Sequence, residues 1–152
     1  MSFATARARE LWARTGLHAW PRAYVLARVG RERAGEAAAA VAAEGDAFAA
    51  VVVEREGVSV TLPADSWRSH SLSRAAEGES GPWRVITLDL DLEPDVAGYL
   101  APAAAALAAA GVPIVPQCGH SKDHLLVPED KLAVALATLE ALVAEARHDP
   151  IS

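Results

Sequence analysis

The sequence predicts an α+β sandwich built in two halves, one clear and one blurred. Three observations carry this. WRVITLDL (83–90) alternates between two faces, as a strand with one buried side does. The run YLAPAAAALAAAGV (99–112) keeps helical spacing at Leu100, Ala103, Ala104 and Leu107 before it meets glycine and proline. The order strand–helix–strand–strand–helix is complete downstream and repeated more faintly upstream.

Taken in order, residues 1–20 read as an N-terminal extension, and the arginines of ARARELWAR (6–14) as a solvated helix face. A first repeat is expected over 21–65. AYVLARV (23–29) is a strand, and RERAGEAAAAVAAEG (31–45) is helix-prone with few large apolar residues to anchor it. AFAAVVVEREGVSVTLP (47–63) is a hairpin with Arg55, Glu56 and Gly57 at its tip. The Ser-, Gly- and charge-rich stretch 66–82 is expected to be a linker.

A second repeat follows over 83–148. After the strand, DLEPDVAG (91–98) is a polar loop leading to the helix, with Pro102 in the first turn, where its missing N–H costs little. Gly111 supplies the left-handed stop. VPIVPQC (112–118) and DHLLV (123–127) form a hairpin, and Pro113 and Pro116 put its first strand at a sheet edge. PEDKLAVALATLEALVAEARH (128–148) is an amphipathic helix with Leu132, Leu136, Leu139 and Val143 as its stripe. No fourth strand follows, and exchange of strands between the halves is the expected remedy. Trp12, Trp20, Trp67 and Trp83 flank these elements and read as core caps or a dimer surface.

Composition narrows the function. The 152 residues are 52% hydrophobic, which supplies a core, although alanine provides much of it. A net charge of −6 without a basic cluster argues against binding nucleic acid. Cys118 is the only cysteine, so no intramolecular disulfide can form. The N-terminus lacks the apolar core of a signal peptide, and 99–112 is too short to span a bilayer. A reduced, cytoplasmic protein without membrane contact is expected.

The chemistry-bearing residues concentrate in PQCGHSKDHLLVP (116–128). Cys118, His120 and His124 have zinc-ligand character, but Gly119 and the following turn break the alternation that would align them. A thiol enzyme using Cys118 with His120 or His124 lacks a recognisable nucleophile motif or oxyanion hole. Asp89, Asp91, Glu93 and Asp95 recur at every second position, which suits a divalent-cation site, a general acid–base pair or a strand end entering solvent; the solvated reading is preferred for Asp89 and Asp91. No cofactor, metal or catalytic residue is expected.

With these residues in view, the second half resembles an ACT domain over about 60 residues: strand, glycine-bearing loop, helix ending in AGV, hairpin, and the closing DHLLVP before the last helix. DHLLVPEDKLAVAL is similar to the corresponding segment of small tandem-ACT proteins of the CASTOR-like kind. The resemblance implies two ferredoxin-like ACT repeats of βαββαβ type, each an antiparallel sheet with helices on one face. It also implies a regulatory or sensor protein that binds an amino acid or similar small zwitterion, as a homodimer or with a regulated partner protein. The ligand loop carried over is Glu93, Asp95, Val96, Gly98 and Tyr99; the facing hairpin tip is Cys118, Gly119, His120, Ser121 and Asp123. Asp123 would accept the ligand's cationic group, and backbone from Val96 to Tyr99 would hold its carboxylate. A ligand-free interaction module is the alternative.

Overall fold

The computed structural model describes residues 2–148. In chain order the elements are α1 (Ala6–Arg14), β1 (Gly16–Ala19), β2 (Tyr24–Val29), α2 (Ala34–Ala42), β3 (Ala50–Val53), β4 (Val58–Pro63) and α3 (Ala64–Ser69). They continue as β5 (Gly78–Asp89), α4 (Leu100–Ala109), β6 (Val115–Cys118), β7 (Asp123–Pro128) and α5 (Leu132–Arg147). No helix among the described residues is long and apolar enough to cross a membrane. The chain divides into two compact units: one runs from Trp20 to Val85, and the other combines the residues up to Ala19 with those from Ile86 onward.

In the Trp20–Val85 unit, β4 pairs antiparallel with both β3 and β2. The hairpin tip closes through Glu54 N–H to the Gly57 carbonyl at 2.8 Å, as the sequence anticipates. Ala37 and Ala40 of α2 are buried against Val29, Val58, Val60 and Leu62. This helix, poor in large residues, thus packs by close approach of methyl groups.

The stretch 66–82, expected as a linker, is largely regular structure. It contributes to α3, a 3-10 turn at Ser71–Ala75 and the first residues of β5, which pair with β2. Its serines and glycines lie in a helix, a turn and a strand, and the cap between helix and turn is His70. Trp67 is fully buried within α3 and donates to Glu79 at 2.7 Å, which a flexible linker would not allow.

In the other unit, the neighbours of β5 are β7 and β1, and β6 lies outside β7. The absent fourth strand is therefore supplied by β1: Gly16–Ala19 pair antiparallel with Asp89–Ile86. Residues read as an N-terminal extension are structural here, and this pairing takes the place of the expected exchange. Among the described residues β6 pairs only with β7, so Pro116 sits at an edge where a missing donor is tolerated, whereas Pro113 precedes the strand, which begins at Val115.

The core of this unit joins Leu11 and Trp12 of α1 to Ile86, Leu88, Leu107, Leu125, Val127 and Leu139. Trp12 is fully buried, and so belongs to the interior and not to a cap or an outer surface. On α5 the buried stripe is Ala135, Leu139, Leu142, Val143 and Ala146, while Leu132 and Leu136 are only partly buried. The seam is rotated from the predicted one because α1 covers the C-terminal end of the helix. Arg9 donates to the Ala146 and Glu145 carbonyls at 3.3 and 3.2 Å, and Arg147 to that of Ala13 at 2.9 Å.

Candidate functional site

The loop between β5 and α4 and the turn between β6 and β7 face each other across a cavity of about 430 Å³. That volume lies in the range of about 300–1,000 Å³ usual for small-molecule sites. Its wall contains Glu93, Val96, Gly98, Tyr99, Gly119, His120, Ser121 and Asp123, all named from the sequence. Leu92, Pro94, Leu100 and Ala101 complete it. These four were not singled out because nothing in an apolar residue's identity marks it as cavity-facing. Asp95 and Cys118 are exposed and lie outside this wall.

Two short connections hold the walls together. Leu92 N–H donates to the Ser121 carbonyl at 2.8 Å, tying loop to turn. Gly119 N–H donates to the Lys122 carbonyl at 2.8 Å, which fixes the turn. Gly98 has φ of +82° with open space where a Cβ would stand, so it is the backbone conformation that requires glycine. It turns the chain into α4, which starts without a side-chain cap. The first-turn N–H groups of an uncapped helix suit a carboxylate.

Asp123 is half-buried on the opposite wall. The Cys118 thiol is pushed up to about 11, first by local desolvation and then by its hydrogen bond to Asp123. A thiol held protonated is a poor nucleophile. Lys122 does not face the cavity as a free cation: its Nζ lies 2.9 Å from Asp89 and 2.7 Å from Asp91. Hydrogen bonds to Asp91 and then Asp89 raise the Lys122 ammonium, and the Lys122 bond holds Asp89 below the usual carboxylate range.

The three candidate zinc ligands are not gathered into one site. His120 contacts Ser121 Oγ at 3.1 Å, and His124 Nδ1 meets Thr87 Oγ1 at 2.8 Å. Burial lowers the His124 imidazole. Among the described residues no group of three or more His, Cys, Asp or Glu side chains is placed to hold a metal ion.

Tyr99 is anchored from behind the cavity. Its carbonyl accepts from Trp12 Nε1 at 2.7 Å, its ring stacks on Trp12 with centroids 5.1 Å apart, and its hydroxyl meets Thr15 Oγ1 at 2.7 Å. Burial, foremost, raises the phenol to about 12. No local sequence signal points to Trp12 or Thr15, which lie more than eighty positions from their partner.

Comparison with known proteins agrees with this architecture. No curated protein matches the sequence. A protein of unknown function from Vibrio cholerae, a possible transport protein, superposes with a TM-score of 0.68 at 24% identity, covering 89% of this chain and 94% of that one. Aspartokinase α and β subunits give 0.66 at 19% identity, with 86% and 98% covered. The regulatory subunit of aspartate kinase from Thermus flavus gives 0.58 at 14% identity, with 84% and 97% covered. Residues 80–141 match the ACT domain family, and the α+β fold, with its antiparallel pairing and packed helices, matches ACT ferredoxin-like domains.

Proposed function

We propose that the chain binds an amino acid or similar small zwitterion in the cavity between the Leu92–Ala101 loop and the Gly119–Asp123 turn, and acts as a regulatory or sensor module without catalysis. One observation carries the reading: an uncapped helix N-terminus and a carboxylate, Asp123, line opposite walls of one cavity. Backbone donors on one side and an acid on the other match the two charges of a zwitterion. Leu92, Val96 and Leu100 would receive the apolar part of the ligand. The likeness to an aspartate kinase regulatory subunit supports regulation as the use of the site. The same reading places the protein in the cytoplasm, as a homodimer or beside a partner it regulates.

The test is thermal unfolding with each of the twenty L-amino acids at millimolar concentration, for wild type and Asp123→Ala. A ligand at about a hundred times its dissociation constant stabilises by about 2.7 kcal/mol, a shift of several degrees for this size. One amino-acid class should raise the midpoint of wild type and not of the variant. A flat response across the whole panel removes the proposal.

A second reading, a ligand-free interaction module, is favoured by β3. Among the described residues this strand pairs only with β4, and Val52 and Val53 are 47% and 51% exposed. An unpaired, uncharged valine edge is a template for another strand.

A further inference from the structure

We infer that Trp12 and Thr15 are positioning residues of the amino-acid cavity, fixing Tyr99 and through it the first-turn backbone of α4. The inference rests on the binding reading proposed above. Tyr99 lines the cavity yet is only 3% exposed, so most of it faces inward. Thr15 Oγ1 bonds the Leu11 carbonyl at 2.9 Å as well as the Tyr99 hydroxyl. A carbonyl only accepts, so the single Thr15 proton goes to Leu11, and Tyr99 donates to Thr15. The Tyr99 hydroxyl is thereby committed inside the protein, and the residue serves the cavity through its backbone and ring edge.

α4 has no side chain of its own to define its start. The Trp12 indole N–H, buried, donates to the Tyr99 carbonyl at this start and leaves the first-turn N–H groups free of it, and the stacked rings, 21° from parallel, limit rotation. Trp12 is held in turn by α1, whose N-terminus is capped by Thr5 and whose flank bonds α5 through Arg9. A carboxylate settling on the α4 N–H groups would polarise the same peptide units that contact the Trp12 indole. Ligand occupancy and the seating of α1 are thus coupled through two residues, and coupling of this kind is reciprocal.

The test uses the intact chain in ¹H–¹⁵N spectra with each of the twenty L-amino acids. The Gly98 and Leu100 amides report on the cavity, and the Trp12 indole N–H, assigned with Trp12→Phe, reports on the coupling. Both sets should move on one titration curve. Thr15→Val should bind about tenfold more weakly, the equivalent of about one buried hydrogen bond, while Thr15→Ser retains affinity. Val60→Ala, a change in the separate core of the Trp20–Val85 unit, should lower stability without lowering affinity. Cavity amides that move while the Trp12 indole stays still, with Thr15→Val binding like wild type, would overturn the inference and leave the binding reading intact. If no amino acid moves the cavity amides, the binding reading fails and the inference with it.

Discussion

Lys122 Nζ and Asp91 Oδ1 are 2.7 Å apart, and that contact joins the hairpin turn to the start of the loop that walls the cavity. Asp89 shares the same ammonium at 2.9 Å. These two carboxylates are thereby occupied by an ammonium, whereas Asp123 and Glu93 are in the cavity wall. Lys122→Met should leave the unfolding midpoint nearly unchanged, since exposed ion pairs contribute little. It should nevertheless weaken amino-acid binding by freeing both acids and loosening the turn. Titration of wild type and variant at low and high salt checks this: the difference between them should shrink as salt screens the pair.

Gly98 and Gly111 make a matched pair for a second prediction. Both have positive φ, +82° and +72°, and both have open space where a Cβ would point. Substitution by alanine should cost about 1 kcal/mol at each, from backbone conformation alone. Only Gly98→Ala should also impair binding, because Gly111 closes the far end of α4. Urea midpoints and amino-acid titrations of the two variants, side by side, decide the point.

A third prediction concerns the thiol. Asp123 is the second cause, after desolvation, of the raised Cys118 thiol, so removing its charge should let the thiol ionise more readily. Asp123→Asn should therefore speed alkylation by iodoacetamide several-fold at about pH 8.5, where the thiolate fraction limits the rate. Equal rates in the two proteins would disconnect Cys118 from Asp123.

His124 gives the pH dependence. Burial lowers its folded-state value beneath the ordinary 6.5, aided by Lys122 and opposed by Asp123. The unfolded chain therefore binds the proton first, and stability should be lost as pH falls through about 6.5. The carboxylates held low by partners, Asp65 and Asp89, act only at more acid pH, below their ordinary 3.8. His124→Gln should flatten the loss between about pH 7 and pH 5 in urea unfolding.

Local chemistry made much of this architecture readable. The strand pattern of WRVITLDL marks β5, although Val85 to Leu88 are buried on both faces and not on one; Gly111 ends α4, and the tip at Gly57 closes the β3–β4 hairpin. The cavity's polar wall was readable for a similar reason, since Gly98 and the turn residues carry their signals within a few positions. What escaped was long-range. No periodicity reveals that Gly16 pairs with Asp89, or that Trp12 reaches Tyr99. Composition misled at 66–82, where a Ser-rich stretch is ordered by the burial of Trp67 and Leu72. Cys118 pairs with Asp123 across the hairpin and yet lies outside the cavity wall, a distinction that no local signal in the sequence marks.

The pairing of β1 with Ile86–Asp89 imposes an order on biogenesis. The α1–β1 segment is synthesised before the whole of Trp20–Val85, yet its partners are made after it. A nine-residue helix has little stability alone, and Leu11 and Trp12 have no complete core to enter until α4 and α5 arrive. The intervening unit can mature first, while the nascent N-terminal segment waits with apolar side chains uncovered. Chaperone engagement, and sensitivity to proteases during translation, should concentrate in that interval and end when β5 is complete and the later helices close over Trp12.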